Sequence, residues 1–185
     1  MALQRLTISG YGQIELNQVA WPRDGRIEAQ CALSTADFST STVCENGMLL
    51  AIDSVHSLIK KPTAATQAMG IVYSTEHLYT AADDVNALKD FYAVPGGVLP
   101  RLGYLAVGDK FTTNAVAYAD TDYSTESLFL TAVEGVASTA LYGTWCTAGV
   151  IEVVNTAPTT SPRFEVLKKT TMPDGTVGIK FRVMG

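Results

Sequence analysis

Residues 98–118, VLPRLGYLAVGDKFTTNAVAY, are the stretch on which the reading of the fold turns. They read as two strands joined by a tight turn at Gly108-Asp109. Leu99, Leu105, Val107, Phe111, Val116 and Tyr118 supply apolar side chains, and Gly103 allows a bend or bulge. Val107 and Phe111 flank the turn, and the polar residues Thr112, Thr113 and Asn114 interrupt the second strand. A half-buried ribbon of this kind predicts a β-rich domain built for surface contact. Nothing in its arrangement points to a reaction centre.

The same reading extends toward the C-terminus. Asp120–Ser127 is an acidic, polar loop, and Leu128–Val136 fits a strand or a helix equally well. Leu141–Cys146 and Val150–Val154 read as short strands separated at Gly149, and Asn155–Pro162 reads as a loop. The clearest hairpin follows. Phe164, Val166 and Leu167 lead into the turn Met172-Pro173-Asp174-Gly175. Val177, Ile179, Phe181 and Val183 then alternate strictly with small or polar residues, so one face of the strand is buried.

Toward the N-terminus, Val94-Pro95-Gly96-Gly97 ends a predicted helix. Thr80 would cap it, Asp83 and Asp84 suit its first turn, and Val85, Leu88 and Phe91 share one face. Ile71-Val72-Tyr73 is a short strand. Met48–Asp53, MLLAID, is continuously apolar and predicts a strand buried on both faces, introduced by an Asn46-Gly47 turn; Leu58 and Ile59 extend the sheet as far as Lys60-Lys61-Pro62. Residues 34–47 form a Ser/Thr-rich loop. Before it, residues 13–20 alternate, Trp21-Pro22-Arg23-Asp24-Gly25 is a turn, and Arg26–Leu33 returns as a strand, which predicts a hairpin. The segment ahead of that hairpin reads either as an arm that packs on a neighbour or as an ordinary first strand.

The whole is roughly nine to twelve short strands with one short helix and long loops. It is mainly β, a β-barrel or sandwich. Residues 1–33 are the N-terminal arm and hairpin, and residues 34–185 are the β-rich body of what is one domain overall.

A chain of 185 residues can bury a sizeable core without metal or disulfide help. Its net charge of −5 is dispersed, and the only adjacent basic pairs are Lys60-Lys61 and Lys168-Lys169, so nucleic acid is not the expected partner. No apolar run is long enough to span a bilayer and MALQRLTISG is not a leader, so neither membrane nor export is expected. Cys31, Cys44 and Cys146 match no zinc spacing. An odd count suits packed, reduced thiols and assembly in a cytosol.

Candidate chemistry is sparse. His56 lies three residues after Asp53, and His77 follows Glu76, but a base oriented by a carboxylate also needs a nucleophile, and Ser54, Ser57 and Ser74 are near only in sequence. Cys146 in GTWCTAG carries no nucleophile signature. Asp120, Asp122 and Glu126 lack the glycine and distal glutamate of a calcium loop. No phosphate-cradling or dinucleotide motif is present. Neither enzyme activity nor a cofactor is expected. Tyr11, Trp21, Tyr104, Tyr118, Tyr123 and Trp145 read either as contact surface or as core.

Three segments, ENGMLLAID at 45–53, VLPRLGYLAVGDKFTTN at 98–114 and VLKKTTMPDGTVGIKFRV at 166–183, resemble a little-characterised protein family of the head-gene blocks of tailed bacteriophages, especially phages of Firmicutes and gut bacteria. The resemblance implies a virion protein: an auxiliary capsid, or decoration, protein on the capsid exterior that binds the major capsid protein and is assembled in the host cytoplasm. Decoration proteins are often β-rich trimers that grip the capsid with an N-terminal arm. By that analogy Leu3, Leu6, Ile8, Tyr11 and Trp21 are the expected partner contacts. The alternatives are a tail, head–tail joining or fibre-base protein, or a surface- or carbohydrate-binding β domain using exposed aromatics.

Overall fold

The computed structural model describes residues 2–74, 91–137 and 140–184. The first third of the chain supplies β1 (Leu3–Arg5), β2 (Ile14–Gln18), α1 (Trp21–Asp24), β3 (Ile27–Glu28), β4 (Ala32–Leu33), β5 (Cys44–Glu45), β6 (Leu49–Asp53) and β7 (Leu58–Lys60). Then come β8 (Met69–Val72), β9 (Tyr92–Ala93), β10 (Leu102–Tyr104), β11 (Lys110–Thr113) and β12 (Val116–Ala119). The remainder supplies α2 (Glu126–Glu134), β13 (Tyr142–Trp145), β14 (Ile151–Val154), β15 (Arg163–Thr171) and β16 (Val177–Val183). Eight strands form one sheet in the order β1-β12-β14-β13-β15-β16-β11-β2, six form a second in the order β3-β10-β8-β6-β7-β4, and β5 pairs with β9.

The C-terminal hairpin forms as its sequence predicts. β15 and β16 pair antiparallel with one register shift between Val166 and Lys168, and Phe164, Val166, Ile179, Phe181 and Val183 all point into the larger core. There the rings of Phe111, Phe164 and Phe181 meet with centroids 5.8–6.0 Å apart. The continuous apolar run in β6 is likewise explained. Leu49 faces that core, whereas Leu50 and Ile52 face a second core with Leu33, Phe38 and Ile59. The six-stranded sheet therefore has a hydrophobic layer on each side.

β11 and β12 stand near opposite ends of the eight-strand order, yet only Asn114 and Ala115 separate them. The sheet must curl until its ends approach. The ladder does not close across the bend, so the architecture is a sandwich with one strongly curled sheet, and the barrel alternative is set aside.

Three local expectations are corrected and one open reading is resolved. The predicted hairpin over residues 13–33 does not form: α1 makes one helical turn closed by Gly25, β2 pairs with β11, and β3 and β4 pair with β10 and β7 of the other sheet. The 98–118 ribbon is not a hairpin either, because β10 lies in the six-stranded sheet and β11 in the eight-stranded one. Asp109 explains the crossing. Its carboxylate accepts from the amides of Ala20 and Ala106, which directs the turn across the sandwich. The ambiguous stretch after the acidic loop is helical. Thr125 caps α2 by accepting from the Leu128 amide, and Phe129 and Val133, one turn apart, are buried. The helix expected from Thr80 lies mostly outside the described residues, and its expected C-terminal end is corrected: Tyr92–Ala93 form β9, which pairs with β5, and Phe91 before it is buried.

The N-terminal segment is a sheet strand. β1 pairs with β12 through Leu3↔Ala119, Gln4↔Tyr118 and Arg5↔Ala117, and the Leu6 amide donates to the Val116 carbonyl. The acidic loop holds it in place, with the Asp120 and Glu126 carboxylates accepting from the amides of Ala2 and Thr7. Residues 1–33 thus contribute to both main sheets and form no separate arm. A chain lacking residues 1–6 is expected to lose about 2 kcal/mol of stability from Leu6 burial alone. Urea unfolding checks this, and an unchanged midpoint would mean that the strand is undocked in solution.

Candidate functional site

The five residues expected to contact a partner fall into two groups. Leu6 is 3% exposed and Trp21 0%, and both belong to the larger core, so neither side chain is free to meet another protein. Leu3 and Ile8 are half-buried against the two cores. For Leu6 and Trp21, hydrophobicity does not distinguish a core residue from an interface residue. Tyr11 lies beside a concavity. It is half-buried, its ring lies 4.8 Å from that of Tyr92, and it borders an open pocket of about 460 Å³.

That pocket lies beside the N-terminal strand, with Arg5, Gly10 and Tyr11 in its lining. Its floor is Glu45, brought there by the β5–β9 ribbon and the turn at Asn46-Gly47. The Arg5 guanidinium donates to both Glu45 oxygens at 3.1 and 3.0 Å, and the Gly12 amide donates to Oε2 at 2.6 Å. The walls are Thr40, Ser41 and Thr42 from the Ser/Thr-rich loop, together with Lys61 at the end of β7. The Lys61 ammonium lies 5.7 Å over the Phe38 ring and forms no ion pair with a described residue. Glu45 and Lys61 were not singled out in the sequence. The Ser/Thr-rich composition of residues 34–47 was the one local signal for this site.

Next to the pocket, a polar seam ties the start of β2 and the β15–β16 turn to the bend between β11 and β12, all within the eight-stranded sheet. Asn114 Oδ1 accepts from the Gln13 amide at 2.7 Å, and Thr113 Oγ1 donates to the Gln13 carbonyl at 2.7 Å. Gln13 Nε2 donates to Asp174 at 2.7 Å, and Asp174 also accepts from the Thr176 amide and hydroxyl. Burial alone would raise the Asp174 pKa, but these hydrogen bonds outweigh it and hold the carboxyl below its usual value. A group depressed in the folded state stabilises the fold above its unfolded pKa of about 4, and the contribution is lost as pH falls through the folded value. The urea midpoint should therefore drop on going from neutral pH to pH values below about 4, and it should drop less in Asp174→Asn. Equal drops in the two proteins would show that the seam does not titrate.

The other candidates are placed as follows. His56 is exposed, with Nδ1 3.1 Å from each carboxylate oxygen of Asp53. The neighbouring Lys60 ammonium, and then His56, hold the Asp53 carboxyl well below the usual range. Ser74 is buried, with its Oγ accepting from the Arg101 amide, and His77 lies outside the described residues. The three cysteines are free and buried; burial raises each thiol, Cys31 to about 11 with Glu28 adding to the effect. Asp120 and Glu126 are engaged with the N-terminal strand, and among the described residues no group of three or more His, Cys, Asp or Glu could hold a metal ion. No described helix is long and apolar enough to cross a membrane. No protein-family model, characterised protein or solved structure matches this chain.

Proposed function

We propose that this chain is a non-enzymatic virion structural protein, a capsid decoration protein that binds the major capsid protein where capsomers meet and stabilises the head, acting as a homo-oligomer, a trimer by analogy. The three-segment resemblance carries the reading. Its segments cover β5 to β6, β10 to β11, and the β15–β16 hairpin, the framework of both sheets. A rigid sandwich suits adhesion repeated over a shell, where many small contacts add up. The apolar tip of the Gly108 turn supports it as well. Val107 is 72% exposed beside a groove of about 220 Å³ formed with Met69, Leu105, Pro162 and Val183.

Cryo-electron microscopy of the particle tests the proposal. Density for this chain is expected on the capsid exterior at capsomer junctions. A bare capsid, with the chain in tails or in rings at the portal, would assign it to a tail or joining role. Val107→Glu should lower capsid occupancy while changing folding stability by no more than about 0.5 kcal/mol, because the side chain is largely in water. Unchanged occupancy would place the contact elsewhere on the surface.

A further inference from the structure

We propose that the pocket between Arg5, Tyr11, the Thr40–Thr42 wall, Glu45 and Lys61 binds a carbohydrate, one or two pyranose units presented by a larger glycan. The inference stands on this pocket alone and not on the virion reading.

Four features point to a polyhydroxylated ligand. First, the volume of about 460 Å³ falls within the roughly 300–1,000 Å³ typical of small-ligand sites, and among the described residues its walls come from four separate chain segments. Second, the polar groups have spare capacity of both kinds. A carboxylate has about four acceptor positions, and Glu45 uses three of them on Arg5 and Gly12. The Lys61 ammonium has donors to spare, and the Thr40 and Thr42 hydroxyls bond to no described residue. Vicinal hydroxyls, each donor and acceptor at once, can satisfy a carboxylate, an ammonium and hydroxyls together. Third, Tyr11 supplies an aromatic wall held by its contact with Tyr92, itself 48% exposed, and the negative ring face suits the C–H face of a pyranose. Fourth, the carboxylate floor is preorganised, because Arg5 and the Gly12 amide hold it without help from a ligand.

A simple anion fits less well. Both terminal nitrogens of Arg5 are directed at Glu45, which leaves Lys61 as the one free cation lining the pocket among the described residues, and the Glu45 carboxylate would face the incoming charge.

The test is a ¹⁵N–¹H NMR titration of the full chain with glucose, galactose, N-acetylglucosamine, maltose and cellobiose, with inorganic phosphate as a separate arm, alongside a glycan array. At least one saccharide should give saturable shifts at the amides of Gly12, Val43 and Glu45. Affinity should fall about tenfold, equivalent to about 1.4 kcal/mol, in Tyr11→Ala and in Lys61→Gln. Lys61→Gln removes the charge, keeps a polar end one bond shorter, and is expected to melt like the parent. Three outcomes overturn the proposal: no saturable shift with any saccharide and no array signal; saturation that neither substitution weakens; or saturation by phosphate with none by sugars. The virion reading would survive all three, since it is tested on the particle.

Discussion

Gly47→Ala is expected to cost about 5 kcal/mol, from backbone strain, overpacking and a broken buried hydrogen bond together. Gly47 has φ +81°, and a β-carbon there would stand 2.0 Å from Thr113 Oγ1 and 2.9 Å from the Gln13 carbonyl oxygen. Thr113 cannot simply rotate away. Its hydroxyl donates to the Gln13 carbonyl and accepts from the Ala115 amide, both in the interior, and moving it leaves those groups without partners. A domain is typically stable by only about 5–15 kcal/mol, so the variant should be largely unfolded or molten at room temperature. The measurement is urea unfolding followed by near-ultraviolet circular dichroism. Gly25→Ala is the control. Its φ is +68° but nothing lies within 4 Å of the added carbon, so it should cost only about 1–2 kcal/mol. Equal costs at the two positions would show that the contact with Thr113 is not a constraint.

Trp21→Ala is expected to cost about 3–5 kcal/mol, the range for deleting a large aromatic from a packed core. The indole is completely buried, lies 6.1 Å from the Tyr73 ring and covers the backbone of β10, where a β-carbon on Gly103 would come within 2.3 Å of its Nε1. A residue that anchored a partner would instead lose binding and leave the melting point unchanged. Gly103→Ala should be strongly destabilising alone but milder in the Trp21→Ala background, where the indole is gone. The coupling should be about 1–3 kcal/mol. Strict additivity would mean that the two residues do not touch.

What could be read from the sequence was what is decided locally. The MPDG turn and the alternation after it specify the β15–β16 hairpin, and the unbroken apolar run in MLLAID specifies a strand with no wet face. Partner choice was not legible. Period-two alternation marks Ile27–Glu28 as a strand, but its neighbour is Leu102–Gly103, and no local pattern encodes a pairing at that separation. Gly108-Asp109 looked like a hairpin turn because turn residues encode reversal, not destination. The Asp109 carboxylate bonds that set the destination involve Ala20, 89 positions away. The pocket was hidden for the same reason, since Arg5, Thr42, Glu45 and Lys61 converge from segments with nothing in common but their place in the fold.

The seam where Gln13 meets Asn114 and Asp174 has a kinetic consequence. Gln13 bonds to one residue 101 positions away and to another 161 positions away, and Thr7 bonds to Glu126 across 119. None of these links can reward the chain until long loops have already been closed, so the nucleus cannot be assembled from neighbours alone. This places the molecule among the slow folders, on a timescale of roughly milliseconds to seconds. While it waits, the apolar strands β6 and β16 are exposed to other copies, and refolding yield should fall as protein concentration rises.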